Sequence, residues 1–296
     1  MNKINTSSES DWAQSSNDML LDRGFPTMVR RAVREIAVRS LYLPLIGATY
    51  LKPQSTPHLR IIFYHSIFEG DSVKFSDQLK FFSDNYDILP LGSAIEKLKA
   101  NDIKNPTLSI TFDDGYLNNF TVAAEILSKY DITACFYVTS DFIDIDSSNL
   151  SAIEAFCRQR LFIRKPIQNM TWDNLKTLAS SGHEIGSHAI SHKSLTALSN
   201  LDMMAEIQNS KSIIEKTLNQ PAKHFSIPFG IKGHYSQSII DTVQKSGYDS
   251  CVLGIRGANL SYDNLYSLRR DHCSANWSIK EVRSHLMRSF LWPKPI

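Results

Sequence analysis

The chain is predicted to be an α/β protein with a parallel sheet, and three observations predict this class. Beyond Pro57, short runs rich in β-branched and aromatic residues alternate with helical patterns, as parallel strands with helical crossovers require. Two amphipathic segments pass through a glycine, Gly182 or Gly247, into the next β-rich run, and glycine is the usual residue at such a helix end. The length of 296 residues suits one large α/β domain.

The alternation leaves two architectures open. Seven or eight strand–helix units close naturally into a (β/α) barrel, whereas an open doubly wound sheet has the same local pattern. The strand candidates are, in order, RIIFYHSI, TLSITFD, TACFYVTS, HEIGSHAI, HFSIPFG, YDSCVLG and YSLRRD. The segment from Ile143 to Asn169 fits the alternation poorly, and we interpret it as an insertion over one rim of the sheet.

The first 56 residues differ in character from the rest. Residues 1–22 are rich in Ser, Asn and Asp, which predicts a disordered tail. Residues 23–56 contain a basic amphipathic stretch and then an apolar run that ends at Leu51, too short to span a membrane. This amphipathic segment either packs on the domain or lies on an anionic membrane surface. Residues 57–296 are predicted to form the α/β domain.

The composition excludes several classes of protein. Hydrophobic residues make up 42% and charged residues 21%, which is ordinary for a globular protein. The balance of 32 basic and 30 acidic residues gives no indication of nucleic-acid binding. The four cysteines have no CxxC spacing and are expected to be reduced. No secretory signal pattern is present, so we expect a cytoplasmic protein, with peripheral contact to the inner face of the membrane if the amphipathic segment binds lipid.

Two adjacent carboxylates follow the second strand candidate. Asp113 and Asp114 come directly after the apolar run TLSITF, and Gly115 permits a sharp turn there. Adjacent carboxylates repel each other, so a nearby cation such as a metal ion is needed if both are to be ionised. The structural alternative is a cap for a helix that begins near Asn118.

The segment HEIGSHAISHKSL supplies two histidines four residues apart, directly after a strand candidate. On one helical turn, His188 and His192 would bring their imidazoles to a common point. Together with one carboxylate they make the usual ligand set of a catalytic metal site, which leaves one position open. His183 and Glu184 precede the strand, and we assign them structural roles at its opposite end.

Three of these segments together carry a family resemblance. TFDDGY, the HxxxH in GSHAISH and the later SIPFG resemble the first three motifs of the polysaccharide deacetylase family, the NodB-homology domain or carbohydrate esterase family 4. The resemblance covers the chain from about Leu59 to Leu268 and is close throughout TWDNLKTLASSGHEIGSH. It implies a distorted (β/α) barrel with seven or eight parallel strands. It also implies hydrolysis of the N-acetyl group of an acetamido sugar.

The resemblance further implies a site with one divalent metal ion. The ion is expected to be Zn²⁺, with Co²⁺ or Ni²⁺ as alternatives, and Asp113 is implied as the general base. By analogy with the family, the backbone N–H of Phe229 is implied as a donor to the oxyanion. The implied metal ligands are Asp114, His188 and His192.

The chain departs from the commonest family pattern in two places. Many members carry an arginine two residues before the motif proline, where this chain has Ser226, so the charge that usually orients the base is absent from that loop. Arg269 or Arg270 could supply that charge, and we assign Arg270 with Phe229 to the oxyanion and substrate side of the site.

The usual late motif with an acid histidine is also missing. RIIFYHS near the start resembles the YH motif of circularly permuted members that process exopolysaccharide, which implies His65 as the general acid. His272, in RRDHCS, is the alternative.

The sequence therefore predicts a metal-dependent hydrolase that removes an N-acetyl group from a polysaccharide or its precursor. Its expected partner is an N-acetylated sugar, oligosaccharide or lipid-linked glycan. Three other functions stay open: an O-acetyl esterase or deformylase, a catalytically silent carbohydrate-binding domain, and a membrane-surface adaptor led by the amphipathic segment. Asp113 and all three implied ligands are present, which argues against a silent domain.

Overall fold

The computed structural model describes residues 12–19, 56–261 and 263–291, and it is built on one parallel sheet. The strands, β1 to β8 in chain order, are His58–Tyr64, Asp87–Ile88, Pro106–Phe112, Cys135–Val138, Glu184–Ser187, His224–Ser226, Ser250–Val252 and Asp271–His272. The α-helices, α1 to α10, are Ser16–Met19, Ser72–Asn85, Leu91–Lys99, Ala124–Ser128, Ser140–Ile143, Leu150–Phe156, Trp172–Ser180, Asn200–Leu218, Gln237–Lys245 and Ile279–Leu291.

The strands are parallel and close into a ring. Their order is β7–β6–β5–β4–β3–β1–β8, and the two-residue β2 flanks β3. The segment that leads into β8 runs beside β7, because Leu253 N–H donates to the Leu268 carbonyl at 2.8 Å and Leu268 N–H donates to the Cys251 carbonyl at 3.0 Å. Since β8 also pairs with β1, this segment closes the sheet into a ring. The predicted distorted (β/α) barrel is confirmed, and the open doubly wound sheet is excluded.

Stacked aromatic rings pack neighbouring strands of the barrel against each other. The Tyr64 and Phe112 rings stack at 5.7 Å between centroids, and Phe112 and Phe136 stack at 4.9 Å. These three side chains come from β1, β3 and β4, and each is fully buried. Rings of this size contribute a large part of the apolar area removed from water. The residues that follow these strands are therefore held on a rigid support.

The two predicted helix–glycine–strand junctions are confirmed. Helix α7 begins at a capping box formed by Thr171 and Asn174, which satisfies N–H groups that lack partners inside the helix. Gly182 then adopts φ +87° before β5, and Gly247 adopts φ +77° before β7. Only glycine takes such angles without steric cost, so these residues end the helices and direct the chain into the next strand.

The predicted insertion from Ile143 to Asn169 contains α6 and contacts an N-terminal segment. Ala13 N–H donates to the Pro166 carbonyl at 2.9 Å, and Arg164 N–H donates to the Met19 carbonyl at 3.0 Å. Residues 12–19 are thus packed on the insertion, whereas the sequence predicted that they belong to a disordered tail. The rest of residues 1–22, and the amphipathic segment 23–56 apart from Thr56, lie outside the described residues.

Two further expectations concern cysteines and membranes. All four cysteines are buried and free of disulfide bonds. Among the helices that the structure describes, none combines the length and apolar character needed to cross a bilayer.

Candidate metal centre

The candidate site lies where the carboxyl ends of the barrel strands meet, the usual location for function in this architecture. Asp113 and Asp114 follow β3, His188 follows β5, and Ser226 ends β6. Arg270 immediately precedes β8. The ring closure therefore brings together residues that are far apart in the sequence.

Three buried side chains form a cluster with the composition of a metal site. One ligand atom from each of Asp114, His188 and His192 lies within 4.8 Å of the others. Asp114 Oδ1 is 3.6 Å from His188 Nε2 and 3.4 Å from His192 Nε2. This oxygen is buried and has no hydrogen-bond partner, an arrangement that costs free energy unless a cation lies there. The residues therefore fit a divalent ion.

Both histidines are oriented by backbone carbonyls. His188 Nδ1 lies 2.8 Å from the Ser226 carbonyl oxygen, and His192 Nδ1 lies 2.9 Å from that of Arg160. A carbonyl only accepts, so each Nδ1 carries the proton and donates. Each Nε2 is then left as the ligand atom that faces Asp114, which is the usual arrangement of metal-binding histidines.

The protonation states of the cluster are set by burial and by neighbouring charges. Burial lowers the pKa of His188 to about 4, so this ligand is neutral near pH 7. Burial also opposes a charge on His192, but the Asp114 carboxylate outweighs burial and raises the pKa of His192. Burial would raise the pKa of Asp114, yet the neighbouring His192 lowers it. A cation bound at this cluster would supply positive charge beside Asp114 and favour the neutral form of both histidines.

The two histidines do not share a helical turn, so that part of the prediction is wrong. Residues 188–194 form a loop, in which Ala189 has φ +64° and His192 has φ +53°. Asp114 and Phe229 also have positive φ, at +76° and +65°. The left-handed region costs about 1–2 kcal/mol for a non-glycine residue. Such strain persists where the surrounding structure fixes the backbone, as it commonly does at functional sites.

Glu206 of α8 fixes the loop that carries the histidines. Its buried carboxylate accepts hydrogen bonds from the N–H groups of Ile190 and Ser191, both at 2.9 Å, and from the Ser191 hydroxyl. From the other side, Ser140 N–H donates to the Ala189 carbonyl at 3.3 Å. Glu206 was not predicted from the sequence. A charged residue on the otherwise uncharged buried stripe of α8 was the signal that could have revealed it.

Asp113 is held by Arg270 in a buried bidentate ion pair. The two N···O distances are 2.7 and 2.8 Å, and the guanidinium also donates to the Ser226 hydroxyl at 2.9 Å. Burial would raise the pKa of Asp113, but Arg270 and the nearby histidines lower it. Arg270 thus supplies the charge that the Ser226 loop lacks. Its side chain is buried against Asp113 and orients that carboxylate, as considered for Arg269 or Arg270, rather than lying on the oxyanion and substrate side to which it was also assigned.

Phe229 follows β6 at the edge of the metal cluster. Its ring lies 4.8 Å from the His192 ring between centroids, and no acceptor within the described ranges pairs with its backbone N–H. That N–H fits the predicted oxyanion donor, a role that stays a prediction. The next residue, Gly230, has φ +57°, and a Cβ there would lie 2.4 Å from Gly254 N. Gly230 therefore permits the close approach of another loop rather than of substrate.

The two candidate acid histidines lie side by side. The rings of His65 and His272 are 5.7 Å apart between centroids, at the ends of the paired strands β1 and β8. Both are partly exposed, and the charge of His65 contributes to the lowered pKa of Asp113. The structure brings both candidates to the rim of the site, so the choice of His65 stays a prediction.

His183 and Glu184 lie at the opposite end of β5, as predicted. The Glu184 carboxylate accepts from the N–H groups of Leu91 and Gly92 at 2.8 and 2.9 Å, which caps the first turn of α3. His183 Nδ1 accepts from Ala134 N–H at 3.1 Å. These contacts assign both residues structural roles.

Comparison with known proteins identifies the family. The polysaccharide deacetylase family matches residues 100–251, just over half of the chain. The chain belongs to the polysaccharide deacetylase family. The matched span contains Asp113 and the three residues of the metal cluster, but it ends before Arg270 and begins after His65.

Individual relatives agree with this family. The YxkH protein of Bacillus subtilis (strain 168) is 26% identical over 240 residues, which are 78% of this chain and 77% of that protein. Peptidoglycan-N-acetylmuramic acid deacetylase PdaA from the same organism is 23% identical over 65% of this chain and 67% of its own length. The solved structure of Streptococcus pyogenes deacetylase PplD in complex with acetate has a TM-score of 0.65 and 22% identity, over 78% of this chain and 99% of that one. That likeness shows a shared fold.

Proposed function

We propose that the protein is a metal-dependent hydrolase that removes the N-acetyl group from an acetamido sugar of a polysaccharide or its precursor. The observation that carries this proposal is the buried Asp114, His188 and His192 cluster beside an ionised Asp113. Family membership supports deacetylation as the reaction class. The name of PdaA specifies an N-acetylated amino sugar as that relative's target, which supports an amide as the bond that is cleaved.

The donor set indicates which ion the cluster would hold. Two imidazoles and one carboxylate suit Zn²⁺, and Co²⁺ or Ni²⁺ could substitute for it. When bound, the ion would polarise the acyl carbonyl and increase the acidity of the attacking water. Neutral His188 and the orphaned Oδ1 of Asp114 are ready to accept such an ion without first losing other partners.

The chain's own residues provide the proton transfers. Asp113 is ionised and fixed by two hydrogen bonds from Arg270, so it can take the proton of the attacking water as general base. The Phe229 N–H donates to the oxygen on which negative charge develops. His65 protonates the departing nitrogen, because an amine cannot leave as an anion. The products are acetate and a free amino sugar.

The location of the reaction is a separate proposal. We place the protein in the cytoplasm, where the basic amphipathic segment 23–56 either packs on the domain or contacts the inner face of the membrane. The support for both alternatives is the sequence pattern of that segment, since amphipathic helices pack on domains or lie on anionic lipid surfaces. Lipid-linked glycans would be presented at that surface. Sedimentation with anionic vesicles, compared between the full chain and a chain without residues 1–51, tests this proposal.

Release of acetate, or of formate from the formylated sugar, across a substrate panel tests the function. The panel contains N-acetylglucosamine oligomers, peptidoglycan fragments, nucleotide-linked and lipid-linked N-acetylated sugars, an N-formylated sugar and an O-acetylated glycan. The proposal predicts acetate and free amine in equal amounts from at least one N-acetylated class, and no release by Asp113→Asn. Acetate without amine from the O-acetylated glycan would make the protein an esterase. Sugar binding without any release would make it a silent binding domain.

A further inference from the structure

Phe162 is an aromatic residue that the fold leaves exposed at the edge of the metal centre. Its side chain is 52% exposed. It lies in the insertion, directly after the π-helical turn Cys157–Leu161, and its backbone is left-handed with φ +54°. Two residues earlier, the Arg160 carbonyl accepts the hydrogen bond from His192 Nδ1 at 2.9 Å. The insertion backbone is thus tied to a residue of the metal cluster.

Among the residues that the structure describes, no packing partner other than Phe229 accounts for a phenylalanine at this position. Glycine or asparagine takes left-handed angles with less strain than a bulky side chain does. An exposed aromatic ring removes little apolar surface from water within the chain itself. A strained and exposed ring beside a candidate active site is therefore better explained by a ligand that covers it.

The ring of Phe162 continues an aromatic surface that begins at the metal cluster. The Phe162 and Phe229 rings are 5.9 Å apart between centroids, and the Phe229 and His192 rings are 4.8 Å apart. The three rings therefore lead from a metal ligand out to solvent. A sugar chain whose acetyl group reaches the cluster can therefore lie along this surface.

We propose that Phe162 and Phe229 form an aromatic platform that binds the sugar ring next to the one that is deacetylated. This inference rests on the proposed function and specifies its substrate as an oligosaccharide rather than a monosaccharide. One face of a pyranose ring presents C–H groups and is apolar, while its hydroxyl groups project around the edge. Such a ring can cover the platform and keep its hydroxyl groups in water, and aromatic side chains suit this contact because they are large and rigid. A lipid chain would need a broader apolar surface than two rings.

Substitutions of Phe162 distinguish substrate binding on the platform from hydrolysis at the metal cluster. Phe162→Ala removes the ring, Phe162→Leu keeps apolar bulk without a ring, and Phe162→Trp keeps an aromatic face. Leu201→Ala is the matched control, because Leu201 is 79% exposed at the start of α8. The substrates are an N-acetylglucosamine tetramer, which can reach the platform, and a small aryl acetate, which cannot. Metal content and Tm are measured for every variant.

The proposal predicts that Phe162→Ala raises the KM for the tetramer by about 3–10-fold, as expected for the loss of one aromatic contact. Its aryl acetate turnover, metal content and kcat stay close to wild type. Phe162→Trp has a KM near the wild-type value, and the KM of Phe162→Leu lies between those of the wild type and Phe162→Ala. Leu201→Ala leaves the KM unchanged. An unchanged KM in Phe162→Ala, or an equal loss on both substrates, would overturn the proposal.

A binding titration that needs no turnover distinguishes failure of the platform proposal from failure of the proposed deacetylation. Titration of the tetramer into metal-loaded Asp113→Asn, with and without Phe162→Ala, tests the platform even if no acetate is released. Weaker binding by the double variant supports the platform and leaves the reaction to be judged by acetate release. Equal binding, or no tetramer binding at all, refutes the platform whatever the outcome for the reaction.

Discussion

Arg270 and Asp113 form a buried ion pair with two parallel hydrogen bonds, Nη1 to Oδ1 at 2.7 Å and Nη2 to Oδ2 at 2.8 Å. The pair joins the segment before β8 to the end of β3, 157 residues apart. Bidentate pairs of this kind fix geometry as well as charge. The carboxylate proposed as general base therefore stays ionised and in one orientation, although it is buried.

Removal of Arg270 should destabilise the fold. Arg270→Met leaves an uncompensated buried carboxylate, so we expect a loss of about 3–5 kcal/mol in the free energy of unfolding. Adding Asp113→Asn should recover part of that loss, because the residue left behind is neutral. Urea denaturation of the two single variants and the double variant measures the coupling. Arg269→Met is the neighbouring control, and a cost for Arg270→Met no larger than this control's would contradict the assigned role.

Asp113→Asn should separate metal binding from turnover. Asn cannot accept a proton from water, so we expect turnover to fall by about 10²–10⁴-fold while the ion stays bound. Metal analysis and acetate release on the same preparation provide the measurement. If the ion is lost together with the activity, Asp113 is a ligand and its role as base is wrong.

Glu206 should affect metal affinity although it is not a ligand. Glu206→Ala removes three hydrogen bonds from the loop between His188 and His192, and we expect metal affinity to fall by about 10–100-fold. Glu206→Gln, which keeps one acceptor oxygen, should lose less metal affinity than Glu206→Ala. Asn209→Ala, at an exposed position of the same helix, is the control. A competition titration with a chromophoric chelator measures the affinities, and wild-type affinity in Glu206→Ala would refute the positioning role.

His65 should matter for amides far more than for activated esters. The amide nitrogen must be protonated as it departs, whereas an aryl oxide leaves unaided. His65→Ala should therefore reduce amide cleavage by about 10²–10⁴-fold and spare cleavage of an aryl acetate. The ratio of the two rates is compared among wild type, His65→Ala and His272→Ala at matched metal occupancy. A ratio that changes only in His272→Ala would transfer the role of acid to the neighbouring ring.

The sequence predicted the parts of the site that depend on local chemistry. The carboxylates after β3 and the paired histidines after β5 stand out because their residue types and positions at strand ends are themselves informative. The alternation of strands and helices likewise predicted the parallel sheet. Ring closure could not be read from that alternation, because hydrogen bonds between Leu253 and Leu268 depend on how distant segments meet.

The unpredicted parts of the site depend on tertiary contacts. The Arg160 carbonyl that orients His192 belongs to the backbone, so this contact cannot be predicted from the residue type. The two histidines converge because residues 189 and 192 adopt left-handed backbone angles. Their four-residue spacing alone had suggested a helical turn. The sequence offered two adjacent arginines, Arg269 and Arg270, as the charge that orients the base, and the structure shows that Arg270 is the one that pairs with Asp113.

Metal content and acetate release, followed together in one titration, give the most direct test of metal-dependent deacetylation. Protein stripped of metal is titrated with Zn²⁺ in the presence of an N-acetylated substrate identified from the panel. The wild type should bind one ion per chain and gain activity in proportion, with acetate and free amine appearing in equal amounts. His188→Ala and His192→Ala should neither bind the ion tightly nor release acetate at the same concentrations, because each lacks one of three ligands. Full activity of the stripped wild type, or full metal occupancy in both variants, would contradict the assignment of the site.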